Sequence, residues 1–213
     1  MRTYLISIPL FWGVLFGSIV PHAGTFSKGP SAMKKRYYIE SGSRLYLDGS
    51  SNVNSFTCDC KDYWPAQTLE IDQNGSHASF RNTAVQITTK KFDCHNGKID
   101  LDMQKALKAD IFPLIRIELL ETWVDPVALK GASTNWVNVR SKVKITLAGV
   151  SKTHTIDGKI RKIALDKVHI LGEKKLWMSD FGIAPPEAMF GLIKVNDEIT
   201  FHFDLKVRFE NQP

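Results

Sequence analysis

From Asp197 to Phe209 the chain alternates almost without a fault. Ile199, Phe201, Phe203, Leu205, Val207 and Phe209 are apolar, and Thr200, His202, Asp204, Lys206 and Arg208 stand between them. Successive side chains on a strand point to opposite faces, so this period of two predicts a strand with one dry and one wet face. The pattern recurs at Leu45 and Leu47, at Ile115, Ile117 and Leu119, and at Val143, Ile145 and Leu147; Ile156, Ile160 and Ile163 continue it more loosely, with Asp157-Gly158 read as a bulge. Asp72-Gln73-Asn74-Gly75 is a tight-turn signal between two such runs. One segment departs from the rule: Ile99 to Ala109 carries Met103, Ala106 and Leu107 at helical spacing, with Asp100 placed as its N-cap. Counting the runs gives about eight to ten antiparallel strands and one short inserted helix, an all-β chain that is either a sandwich or a closed barrel.

The 213 residues suffice for one domain, and 43% hydrophobic with 23% charged residues is ordinary for a folded chain. The net charge of +6 is spread along alternating strands rather than gathered in a patch, which argues against nucleic acid as a partner. The first 23 residues read as a secretory signal peptide: Arg2, an apolar stretch from Tyr4 to Val20, then Pro21-His22-Ala23. Pro21 is a poor residue for the cleavage site, so an uncleaved N-terminal anchor stands as the alternative. Residues 24–36 read as a linker, rich at first in Gly, Ser and Pro. At its end, Lys34, Lys35 and Arg36 suit a solvated segment or peripheral contact with anionic head groups. The folded domain is expected over residues 37–210.

Four stretches, taken in order, carry a resemblance. They are Ser43-Arg44-Leu45-Tyr46-Leu47-Asp48-Gly49-Ser50-Ser51-Asn52-Val53-Asn54-Ser55-Phe56; Met103 to Ala109 followed by Phe112-Pro113 and Ile115; Val143 to Lys152, ending Gly149-Val150-Ser151-Lys152; and Trp177 to Ile183 with Pro185-Pro186 and Val195-Asn196-Asp197-Glu198-Ile199. Together they resemble the YceI-like lipid-binding proteins. Ala148 departs from the pattern, standing where a charged or polar residue is usual.

The resemblance implies an eight-stranded antiparallel lipocalin-like barrel. Its lumen would hold an amphiphilic lipid, a polyisoprenoid or isoprenoid quinone, in a periplasmic or secreted protein, monomer or homodimer, with no catalytic set, cofactor or metal. The inward residues Ile115, Ile117, Leu119, Val143, Ile145, Leu147, Phe201, Phe203 and Leu205 are then the candidate ligand-binding residues, weighed against simple core packing. Trp64, Trp123, Trp136 and Trp177 are candidates for the mouth. In an oxidising compartment either Cys58 or Cys60 pairs with Cys94. Cys58 is favoured because it follows the Asn-x-Phe stretch of the resemblance, and Cys60 remains open. The rival use, zinc held by Cys58, Cys60, Cys94 and His95, lacks the usual spacing. Asp180-Phe181-Gly182 copies a kinase magnesium motif without the other motifs such an enzyme needs, and reads as a turn. Two other uses of the barrel are a lipid hydrolase or isomerase, for which no acid/base set is evident, and an envelope scaffold for protein contacts, which a filled lumen would favour.

Overall fold

The computed structural model describes residues 32–125, 127 and 135–211; the signal-peptide reading and the first part of the linker lie outside these. Among them the chain forms strands β1 (Met33–Ile39), β2 (Arg44–Ser51), β3 (Ser55–Cys60), β4 (Gln67–Asn74), β5 (His77–Arg81), β6 (Val85–Thr88) and β7 (Phe92–Asp93), then helix α1 (Gly97–Ala106). Strands β8 (Leu114–Val124), β9 (Val137–Leu147), β10 (Val150–Ala164), β11 (Lys167–Trp177), β12 (Glu187–Ala188) and β13 (Ile193–Asn211) follow.

Pairing turns these pieces into a ring of eight antiparallel staves. β8, β9, β10, β11 and β13 are single long strands, each hydrogen-bonded to the next. Along its other edge β13 takes β2 from Val195 to Asp204 and β1 from Val207 to Asn211, so β1 and β2 make one stave bent at Glu40–Ser43. Gly42 supplies the left-handed residue of that bend, at φ +79°. β4 pairs with β1 and β3 with β2, giving the second composite stave. β5, β6 and β7 make the third, since β5 and β6 both pair with β8 while β7 reaches β3. The fold is therefore the all-β, eight-stranded antiparallel ring with one short helix that the alternation and the resemblance imply.

Several details correct the reading of the sequence. β1 begins at Met33, so Lys34, Lys35 and Arg36 belong to a strand rather than a linker. Their backbones pair with Glu70, Leu69 and Thr68 of β4, and those of Lys35 and Arg36 also with Asn211 and Glu210 of β13. Helix α1 starts two residues early because Asn96, not Asp100, caps it: its side chain accepts from the backbone N–H of Lys98 and Ile99. Asp100 lies in the first turn and accepts instead from Cys94 N at 2.8 Å. Asp157-Gly158 is no bulge, since β9 and β10 stay in register through it; the irregularity falls at Lys162/Ala164. Asp180 and Phe181 end a short 3-10 turn closed by Gly182 at φ +67°.

The β9–β10 hairpin turns on Ala148 and Gly149, at φ +48° and +82°. Both positions favour residues that tolerate the left-handed region, which alanine does not. The departure from the family pattern at Ala148 thus sits where it carries strain. Ala148→Asn is expected to stabilise the protein by about 0.5–1 kcal/mol, read as a melting point higher by about 1–4 °C. A lower melting point would refute the turn argument. Gly149 is less free to change, because the Phe112 ring occupies the space a Cβ would need, at 2.5 Å.

Candidate functional site

The dry faces of the staves meet inside the ring, where the described residues line two cavities. The first, of about 290 Å³, lies at the end where β1 and the tail of β13 close the ring; the second, of about 260 Å³, lies under α1 and the loop before β13. Each is near the lower limit of pockets that hold drug-sized ligands, about 300 Å³.

Alternation places consecutive inward residues of one strand in different compartments. On β13, Phe203 and Leu205 line the first cavity and Phe201 the second; on β8, Ile117 and Leu119 line the first and Ile115 the second. On β9, Val143 lines the first and Leu147 the second, while Ile145 between them reaches neither. Ile145 is 1% exposed and packs in the same cluster as Ile87, Phe92 and Leu176, which also line neither space. This is a filled layer across the lumen, and within it Ile145 borders neither cavity. Phe201 borders the layer, its ring edge-on to Phe92 at a 6.5 Å centroid separation.

Other lining residues escaped the sequence reading. The wall of the first cavity includes Ile160, Val168, Ile170 and a facing glycine pair, Gly158 and Gly172. A Cβ on Gly172 would make ordinary contact with Ile156 at 3.6 Å, so the cavity exists there because a side chain is missing. Val168 and Ile170 already alternate in the sequence; the glycine opposite Gly158 was the signal available for the rest.

The first cavity is almost wholly apolar, and its polar groups are mostly spoken for. Thr83 donates to Leu119 O at 2.6 Å, Thr122 and Ser141 share a hydrogen bond at 3.1 Å, and Tyr37 donates to Gln67 Oε1. Burial pushes the Tyr37 phenol up to about 12, so it stays neutral. The exception is Trp64, whose indole Nε1–H is buried without a partner among the described residues while its ring lines the cavity. Trp64 lies in the link between β3 and β4, held by Lys61 N to Lys91 O at 2.8 Å and by Thr88 N to Asp62 Oδ2 at 2.5 Å. The other three described tryptophans lie outside the lumen. Trp123 leans on His77, Trp136 lies under Arg161 and beside His169, and Trp177 is half-exposed at the end of β11.

The second cavity has an apolar floor and a polar rim of Asn54, Asn96, Lys98, Asp102 and Glu187. Of the cysteines, Cys58 and Cys94 are joined in a disulfide, with Cα atoms 3.8 Å apart. Cys60 is free and half-buried; burial drives its thiol up to about 11, which leaves it protonated and unreactive at neutral pH. The bond removes two of the four groups a zinc site would use, and His95 turns its Nε2 to Asp59 at 3.2 Å.

The YceI-like domain model matches residues 50–207. No curated protein sequence matches the chain. Among solved structures, it is similar to a polyisoprenoid binding domain from Saccharophagus degradans implicated in plant cell wall breakdown, with a TM-score of 0.58 and 11% identity over 84% of this chain and 99% of that one. It is also similar to BcnA of Burkholderia cenocepacia, with a TM-score of 0.55 and 13% identity over 79% and 98%. A mutant Campylobacter jejuni YCEI protein matches with a TM-score of 0.50 and 20% identity over 77% and 85%. At these identities the likeness is one of fold.

Proposed function

The chain belongs to the YceI-like domain family, and from that premise we propose that it is an exported, non-enzymatic binding protein that holds an amphiphilic lipid, a polyisoprenoid or isoprenoid quinone, in its lumen. The observation that carries the reading is the first cavity, an apolar space of about 290 Å³ kept open by the missing side chain at Gly172. Each methylene-sized group buried there contributes about 0.8 kcal/mol, so a few isoprene carbons already outweigh the ordering of the tail. A periplasmic or secreted setting is supported by the Cys58–Cys94 bond, which an oxidising compartment preserves. The scaffold reading loses ground because the lumen is filled only across its middle layer.

Native mass spectrometry of protein purified without detergent tests this. The wild type is expected to carry an added mass that leaves on denaturation and is identified as an isoprenoid lipid. Gly172→Leu puts a branched side chain into the first cavity; it is expected to fold normally and to lose that mass. A bare wild-type spectrum, unchanged after incubation with isoprenoid lipids, would defeat the reading.

A further inference from the structure

Two loops beside the mouth of the second cavity carry large apolar side chains into solvent. After β12, Met189, Phe190 and Gly191 take left-handed backbones in succession, at φ +49°, +56° and +83°. The Phe190 side chain stands free at the tip, at 109% relative exposure, with Leu192 at 70% beside it. Val53, in the turn between β2 and β3, is 62% exposed. Asn52 joins the loops into one lip: its backbone N–H donates to Lys194 O at 3.0 Å, its side-chain amide donates to Leu192 O at 2.9 Å, and its Oδ1 accepts from Lys194 N at 2.8 Å. Left-handed backbone at two side-chain-bearing residues costs about 1–2 kcal/mol each, and here it only lifts a phenyl ring into water.

We infer that this lip is a membrane-docking surface, which seats the mouth of the second cavity on a lipid bilayer. Two features favour a bilayer over a protein partner. The apolar groups stand on a convex tip, which a fluid interface accepts without a matching pocket. They are continuous with the cavity, since Val53 and Met189 both line it, so an amphiphile leaving that mouth would pass into lipid without crossing water. Charge around the mouth is balanced, Lys98 and Lys194 against Asp102 and Glu187, with Lys194 3.5 Å from Glu187, so the apolar lip and not charge carries the contact. Trp177, half-exposed, ends β11 on the same side of the ring. The docking does not depend on which lipid fills the lumen.

The test uses the full chain with Cys60→Ser and an environment-sensitive fluorophore attached through either Val53→Cys or Leu165→Cys. Leu165 is 89% exposed in the turn between β10 and β11, at the opposite end of the ring. With vesicles of equal parts phosphatidylethanolamine and phosphatidylglycerol, emission at position 53 is expected to shift to the blue while position 165 stays water-like. Adding Phe190→Ser and Leu192→Ser is expected to weaken vesicle binding by about tenfold or more. The inference is overturned if position 53 stays water-like, if both positions shift alike, or if the serine variant binds as tightly. It is equally overturned if the shift at 53 needs no vesicles and follows protein concentration, which would make the lip a contact between copies. Lipid-stripped protein gives the same readout, so failure here is separable from failure of lumen binding.

Discussion

Replacing Phe201 by alanine is expected to lower the unfolding free energy by about 3–5 kcal/mol and to lengthen the lipid tail the protein retains. Phe201 is 2% exposed, its ring meets Phe92 edge-on, and it lines the second cavity while its strand neighbour Phe203 lines the first. Truncation therefore loses burial and leaves a void beside the filled layer, where the surrounding strands can close in only partly. Urea unfolding measures the first effect. Native mass spectrometry of the protein that folds measures the second, as a heavier bound species or a longer prenyl chain. A small stability loss would mean that the layer repacks easily. An unchanged ligand would mean that Ile145 and its neighbours, not Phe201, set the length of the tail.

Removing the disulfide with Cys58→Ala and Cys94→Ala together is expected to cost about 4 kcal/mol. The bond closes a loop of sequence separation 36, and the chain-entropy relation for a loop of that size gives this value. Both cysteines are buried, so alanine leaves no orphaned polar group behind. Against a total stability of about 5–15 kcal/mol, such a loss is large. The urea midpoint should fall and the slope steepen, because the unlinked denatured chain is less compact; an unchanged midpoint would show that the β3–β7 contact holds the loop by itself.

The alternation in the last strand made the all-β class legible, and the four family stretches chose a barrel over a sandwich. What stayed hidden was the division of the lumen. Val143 and Ile145 are indistinguishable by pattern, both apolar and both inward, yet one borders a void and the other fills a layer. That difference depends on what the opposite wall contributes, here Ile87 and Phe92 against Gly158 and Gly172. Breaks within a stave were equally obscure. The bend between β1 and β2 needs Gly42, and nothing in Met33-Lys34-Lys35-Arg36 looks like a strand, because this end of the ring projects past the core and its pairing is mostly a matter of backbone. Trp64 could be named as a tryptophan at a mouth, but its unpartnered N–H is a property of the folded wall.

The seam between β1 and β13 sets the order of events during synthesis. Lys35–Ile39 must find Val207–Asn211, and Tyr37, Leu69 and Val207 pack into a small core of their own only once they do. Contacts so distant in sequence pay their loop-closure entropy before any reward arrives, so this seam belongs to the slow part of folding. Until Val207–Asn211 emerge, the nascent chain is an open, curled sheet with two bare edges, exposed to pairing with other chains. The first cavity does not exist during that interval. Any apolar molecule met before β13 is made would encounter a sheet rather than a container.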